Sequence, residues 1–248
     1  MIALIPSRAG SKRCPGKALR LLRGHPVIAY TIAAAQQSGV FDRIVVCSDD
    51  PAVLAVSPCD QFHRDPVADD QADVKWVRAA LHRYPAVAFA ILRPTSPFRT
   101  VHTIRRAYAQ FQTMKADSLR AVELAPSTPF KMWVVQDGSM TPLLGGCRAD
   151  GVPYHSCPTQ DAPPVYLQNS SLEMSWSRNA TEFGTLHGQT VAPFVTAGHE
   201  GLSIDTEADF AHAVALADAH PELLPALAVA SVSPVSPDVD TSDTCWAV

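Results

Sequence analysis

The sequence is short of several things, and each absence narrows what the chain can be. No two of its six cysteines, Cys14, Cys47, Cys59, Cys147, Cys157 and Cys245, are spaced C-x-x-C, so it carries neither a zinc ribbon nor a thioredoxin-type redox pair. Its nine histidines form no H-E-x-x-H pattern, which removes the zincin type of metal site. No stretch reaches the ~18 consecutive apolar residues of a membrane span. The opening MIALIPSRAGSKR passes from an apolar tetrad straight into a polar loop, so no secretory leader is expected. A dominant charge is missing too: 20 Lys and Arg stand against 24 Asp and Glu, and a net charge of -4 creates no global field that favours nucleic acid. No internal repeat is present. What remains is 248 residues, 47% hydrophobic and 18% charged, which excludes disorder as the main state and suffices for one large core. These features predict a reduced, soluble, cytoplasmic enzyme with no membrane and no nucleic-acid partner.

Apolar runs and helical patterns alternate over the first half. Ile2 to Ile5 reads as a buried strand that stops at Pro6. Pro26 to Gln36 reads as a helix, with Pro26 suited to its first turn and Gly39 to its stop. Arg43 to Cys47 is a second strand, and Asp69 to Tyr84 a second helix with Val74, Val77, Ala80 and Leu81 on its apolar face. Ala86 to Leu92 is a central strand ending in Arg93-Pro94-Thr95-Ser96-Pro97, and a helix follows over Val101 to Met114. This rhythm predicts an α/β fold of three layers, a mostly parallel sheet with helices on both faces.

After a strand at Ser118 to Val122 the rhythm changes. Residues 126–168 are rich in Pro, Gly and polar residues and read as an inserted arm, with Trp133 to Val135 extended. Val165 to Met174 returns to the sheet. A last helix opens at Thr206, with Glu207 and Asp209 where the helix dipole favours acids, and runs to about Ala219. The predicted organisation is one domain over 1–225 with the arm inserted, followed by a flexible tail over 226–248 that holds two prolines and no periodicity.

The first loop carries the chemistry. Arg8, Lys12, Arg13 and Lys17, with Gly10 and Gly16, directly follow the first strand. In open α/β sheets ligands bind outside the C-terminal ends of strands. Glycine lets backbone N–H groups approach an anion, and the cations supply the counter-charge. The loop therefore reads as a cradle for a triphosphate. It is not a Walker A loop, because Ala18 follows Lys17 where Ser or Thr is needed.

The stretch from Ile2 to Asp50, with I-P-S-R-A-G-S-K-R-C-P-G-K at its start, closely resembles the opening of CMP-sialic acid synthetases, the acylneuraminate cytidylyltransferases. Ordered matches follow at LRPTSPFRT, PFKMW, QDAPPVYLQN and LSIDTEADF, so the resemblance runs from residue 2 to about 217. It implies an enzyme that joins CMP from CTP to an acidic acceptor, a nonulosonic acid, with release of pyrophosphate. It implies Mg²⁺ as the divalent cation and a homodimer whose arm reaches the partner. By the same resemblance Arg8, Lys12 and Lys17 are the catalytic cations on the triphosphate. Ala9, Gly10, Ser11, Arg64 and Pro94 are nucleotide-binding, and Asp205 is the metal carboxylate. Arg93, Thr95, Ser96, Lys131, Gln168 and Asn169 form the acceptor side. Asp49 is either a second approach to the metal or a turn aspartate. Trp133, Met132 and Tyr166 belong either to an interface or pocket, or to ordinary packing.

Departures from the family pattern cluster on that acceptor side. Ala18 replaces an asparagine, Arg93 a glutamine, and Thr159 and Leu167 two arginines, while Ser203 replaces the first aspartate of the metal motif. Arg93 puts a permanently charged fork where a neutral amide is usual. Two readings of it follow: a bidentate contact with carboxylate or phosphonate oxygens, or an ion pair with a nearby Asp or Glu. The first makes a small phosphonate, such as a phosphonoformate-like acid, a rival acceptor. The loss at Ser203 keeps a non-catalytic nucleotide-binding relative in view, and a transferase using UTP is a third alternative.

Overall fold

A computed structural model describes residues 1–10, 12–64 and 73–227. Ser11 and all but the first two residues of the expected tail lie outside them. The first strand, β1 (Ile2–Ser7), is buried along its whole length. A small hairpin, β2 (Leu21–Leu22) and β3 (His25–Pro26), then leads into α1 (Val27–Ser38). Gly39 ends that helix at φ 65°, the left-handed cap that glycine adopts without a Cβ penalty. Next come β4 (Arg43–Ser48), α2 (Pro51–Ala55), β5 (Asp60–His63), α3 (Val74–Arg83), β6 (Ala88–Ile91) and α4 (Val101–Thr113). Thr100 starts α4 with a reciprocal capping box to Thr103. The chain continues through β7 (Ser118–Leu124), β8 (Trp133–Gln136), β9 (Ser139–Pro142), β10 (Tyr166–Trp176), α5 (Ser177–Thr181), β11 (Val191–Val195) and α6 (Glu207–Ala219).

Seven strands form one sheet in the order β11-β7-β10-β6-β1-β4-β5. Its pairs are parallel except for β10, which runs antiparallel to both β6 and β7. Side-chain alternation splits the core in two. Ala3, Ile5, Val46, Ala90 and Leu92 face Ile28, Ile32, Ile104 and Phe111 of α1 and α4. Ile2, Leu4, Val45, Cys47, Phe89 and Ile91 face Trp76, Val77, Ala80 and Leu81 of α3 and Ala180 of α5. Burial of each such large side chain contributes about 1.5–3 kcal/mol. The three-layer expectation is met, and the strand and helix ends agree to within two or three residues wherever both are described.

Several elements were not expected. The helices α2 and α5 have five residues each, too short to show a period. The edge strand β5 is polar, and β11 carries Pro193, which an edge tolerates. The β2/β3 pair is two residues deep. The arm leaves the sheet between β7 and β10, and its hairpin β8/β9 is exposed throughout. Within the arm the Phe130 and Tyr154 rings lie 5.0 Å apart, Trp133 stands 5.1 Å from His155, and Arg148 pairs with Asp150 and Asp161.

A third apolar cluster ties the two ends of the domain together. Cys14 of the first loop packs with Leu22, Val27, Tyr30 and Phe98, and with Ile204, Ala213 and Ala217 at the start and along the length of α6. The Tyr30 hydroxyl donates to the Leu22 carbonyl at 2.7 Å, and Arg20 lies over the Phe210 ring while donating to Glu207 at 2.6 Å. The first loop is thereby brought against the residues around Asp205, although some 190 positions separate them in sequence.

Candidate functional site

After β1 and β4 the chain builds β5 on one side, then crosses to place β6 on the other side of β1. That reversal is a topological switch point, where the loops leaving neighbouring strands diverge and open a crevice. A cleft of about 790 Å³ lies there. Pro6 and Ser7 from the end of β1 and Arg93, Pro94 and Thr95 after β6 form its floor.

The end lined by the first loop is strongly cationic. Arg8, Lys12, Arg13 and Lys17 all line it, with Gly10 and Gly16 between them. Gly16 sits at φ 62°, and its carbonyl accepts from both Leu19 and Arg20 N–H groups, a turn that a side chain would strain. Lys17 Nζ donates to Asp205 Oδ1 at 3.0 Å and to the Ile204 carbonyl at 3.0 Å. Arg13 lies 3.9 Å from the same carboxylate oxygen, and the Ser203 hydroxyl donates to Asp205 Oδ2 at 3.0 Å. Burial works against ionising Asp205, but the bond and charge of Lys17, then Ser203 and Arg13, outweigh it and hold the carboxyl below its ordinary range. Asp205 is therefore a charged carboxylate at neutral pH, with its oxygens directed by neighbours.

Arg64 borders the next part of the cleft and is 6% exposed. Its Nη2 donates to the Ser7 carbonyl at 3.1 Å, and its guanidinium carbon lies 5.7 Å from the Trp76 ring centre. Burial pulls its pKa down from the arginine norm, against the pull of Asp49. Arg64 Nε is buried with no partner among the described residues, as is Thr95 Oγ1. Unsatisfied buried polar atoms beside a cleft are what a polar ligand would complete.

The end expected to take the acceptor is charge-balanced. Arg93 Nη2 donates to Asp73 Oδ2 at 2.6 Å and to Glu173 Oε1 at 3.4 Å. Burial lowers the Arg93 pKa, but Asp73 and then Glu173 reverse that and raise it. Of the two readings of Arg93, the ion pair is the one observed. Gln168, Asn169, Ser170 and Glu173 of β10 complete this wall, at an irregularity in the β7 pairing between Gln168 and Glu173. Asn169 is already committed: it donates to Thr196 Oγ1 at 2.9 Å, and its Oδ1 accepts from Ser171 N–H at 3.1 Å. From beneath, fully buried Arg99 donates to the carbonyls of Arg93 and Ser171 and to Thr31 Oγ1.

The structure thus brings Arg8, Gly10, Lys12, Lys17, Arg64, Arg93, Pro94, Thr95, Gln168, Asn169 and Asp205 to one cleft. Three expected residues do not line it. Ala9 turns its N–H to Asp49 Oδ1 at 3.0 Å, so Asp49 anchors the first loop to the end of β4, while Asp50 is the residue that caps α2. Ser96 is buried beneath the loop. Lys131 sits on the exposed arm, outside the cleft of its own chain. Asp73 and Glu173 were not anticipated. Nothing in their local sequence marks them, because their role arises from pairing with Arg93 across the fold. Among the described residues no group of three or more His, Cys, Asp or Glu is placed to hold a metal ion by itself.

Comparison with known proteins agrees with the cleft. Residues 2–121 match the family model described as cytidylyltransferase. The CMP-N,N'-diacetyllegionaminic acid synthase of Legionella pneumophila is 30% identical over 236 residues, covering 90% of this chain and 99% of that protein. An N-acylneuraminate cytidylyltransferase of Escherichia coli is 36% identical over 121 residues, covering 46% of this chain and 29% of its own length. A solved CMP:2-keto-3-deoxy-manno-octonic acid synthetase, complexed with CTP, shares the fold with a TM-score of 0.65 at 16% identity, over 88% of this chain and 98% of that one. The chain belongs to the cytidylyltransferase family, in the group that holds the CMP-sialic acid synthetases.

Proposed function

We propose that the protein is a CTP-dependent cytidylyltransferase that joins CMP to a nonulosonic acid and releases pyrophosphate. The carrying observation is the gathering of Arg8, Lys12, Arg13 and Lys17 in one switch-point cleft with Asp205, which Lys17 holds at 3.0 Å. Transfer at a phosphate asks a protein mainly for position and counter-charge. Here the loop cations would draw charge from the triphosphate as pyrophosphate leaves. Arg64, rigidly held on the Ser7 carbonyl, borders the nucleotide part of the cleft. Gln168 and Ser170 offer neutral hydrogen bonds to a polyhydroxylated acceptor.

Asp205 suits Mg²⁺, since a hard cation takes carboxylate oxygen and keeps waters beside phosphate, so that a single protein carboxylate is enough. Bound there, the ion would neutralise phosphate charge. Ser203 orients that carboxylate and supplies no second one, which fits one protein-held ion better than two.

The nonulosonic acid is favoured over a phosphonoformate-like acceptor on two grounds. Proteins similar to this chain include synthases and transferases named for legionaminic, neuraminic and pseudaminic acids. In addition, Arg93 bridges Asp73 at 2.6 Å and Glu173 at 3.4 Å, which leaves it at most one exchangeable place, too few for the several charged oxygens of a compact polyanion. A homodimer follows the family resemblance, with Lys131 and the exposed arm directed at the partner.

Pyrophosphate release measured with CTP, Mg²⁺ and a panel of acids is the test. The panel holds N,N'-diacetyllegionaminic, N-acetylneuraminic and pseudaminic acids and phosphonoformate. Release with a nonulosonic acid, lost when UTP replaces CTP, is expected. CTP binding with no turnover across the panel would make the protein a nucleotide-binding relative instead.

A further inference from the structure

We infer that Glu173 and Arg120 form a relay that frees Arg93 for the acceptor carboxylate, with Arg120 as the positioning residue. Arg120 lies on β7, directly across the antiparallel ladder from Glu173 on β10. It does not line the cleft. Its Nη2 stands 3.1 Å from Glu173 Oε2, and its Nη1 donates to Gln168 Oε1 at 3.0 Å. One guanidinium therefore staples both ends of the β10 irregularity, and both stapled side chains face the cleft.

The distances rank the bonds. Arg93 holds Asp73 at 2.6 Å but Glu173 only at 3.4 Å, near the outer limit of a hydrogen bond. Glu173 holds Arg120 at 3.1 Å through its other oxygen. The Arg93–Glu173 contact is the weakest link of the four-residue chain Asp73–Arg93–Glu173–Arg120. An entering carboxylate can take that place on Arg93 without stranding Glu173, since Arg120 still neutralises it. Stranding it would be costly, because the Glu173 side chain is only 13% exposed. Without Arg120, Glu173 has Arg93 as its one remaining cation among the described pairs, and it competes with the acceptor. The relay offers one exchangeable place, which matches an acceptor with a single carboxylate. This inference rests on the proposed function.

The experiment is a double-mutant cycle on the acceptor KM, with N,N'-diacetyllegionaminic and N-acetylneuraminic acids as probes. R120M is expected to raise the acceptor KM about ten-fold, while the CTP KM and kcat stay within about two-fold. R120K keeps a cation beside Glu173 and is expected to stay near wild type. E173Q removes the competitor and lowers the acceptor KM. The double variant E173Q/R120M is expected to behave like E173Q, a rescue that a purely structural role for Arg120 would not allow. An unchanged acceptor KM in R120M, an equal rise in the CTP KM, or a double variant as impaired as R120M overturns the relay and leaves the cytidylyltransferase reading standing. Absence of turnover in the wild type removes that reading first, and the relay with it.

Discussion

Lys17 Nζ and Asp205 Oδ1 lie 3.0 Å apart, a cation and an anion that would each be needed by the nucleotide yet hold one another. The pair keeps two charges poised in a part-buried cleft at no net charge, and a triphosphate with its counter-ion would supply each with a new partner. K17M should therefore remove charge stabilisation at the phosphates and lower kcat/KM about 10²–10³-fold, with a smaller effect on folding. Steady-state pyrophosphate release and a thermal melt check both halves. Near-normal kcat in K17M would remove the loop from the catalytic account.

Arg93 governs a second prediction through Asp73. Burial alone would raise the Asp73 pKa, but the charge and bond of Arg93, helped by Trp76 and Arg64, bring it below the usual carboxylate range. A carboxyl lowered on folding contributes stability that is present above its unfolded pKa of about 3.9. That stability is lost as pH falls through the lower folded value. R93Q takes away the main lowering cause, so acid unfolding should begin at a higher pH than in wild type. Circular dichroism followed from pH 6 downward reads the shift, and superimposable acid limbs would contradict it. R93Q should also alter the preference among acceptor acids more than the CTP KM.

A third prediction concerns Arg99, whose guanidinium is fully buried with no carboxylate against it among the described residues. Burial pushes its pKa down to about 9, which still leaves it charged at neutral pH. Its bonds run to Arg93, Ser171 and Thr31, so it joins the loop after β6, the irregular part of β10 and α1 under the acceptor wall. R99M fits the space but strands two carbonyls, and each stranded group costs about 1–3 kcal/mol. Urea unfolding should show a loss of about 2–6 kcal/mol for the two together. An unaltered midpoint would mean that the methionine offsets those bonds by packing.

How much of this was legible in the sequence depends on the range of the interaction involved. The strands of β1, β4 and β6 announced themselves, because both faces of each are covered and the residues are apolar throughout. The phosphate loop was legible because its cations lie within a few positions of one another, directly after a strand. Arg64 and Asp205 came from family resemblance, since neither stands in a local pattern. Glu173, Asp73 and Arg120 were missed for a physical reason: what makes them matter is a chain of ion pairs spanning 20 to 80 positions, assembled only when β10 enters between β6 and β7. The sequence showed that Arg93 was unusual and left two readings open, and only its spatial neighbours decide between them. Among the elements that escaped notice, α2 and α5 are too short to show a period, and β5 and β11 lie at the sheet edges, where packing sets the conformation more than periodicity does.

The arm supplies the last prediction. A two-stranded hairpin is marginally stable by itself in water, yet β8 and β9 project from the domain with Val135 73% and Met140 58% exposed. Those two residues are paired directly across the ladder, and Met132, Leu143 and Leu144 extend the apolar surface beside them. Left bare, such a surface invites aggregation, whereas a second copy of the chain would cover it and steady the hairpin. The protein should therefore elute with twice the mass of the 26.6 kDa chain when light scattering is coupled to size-exclusion. The double substitution V135E/M140E places two like charges side by side on that surface and should yield a monomer. If Lys131 reaches the partner's cleft, the monomer should also lose acceptor affinity while still binding CTP, because the cationic loop and Asp205 belong to one chain. A wild-type monomer at micromolar concentration, or a glutamate variant that stays dimeric, would place the contact elsewhere or remove it.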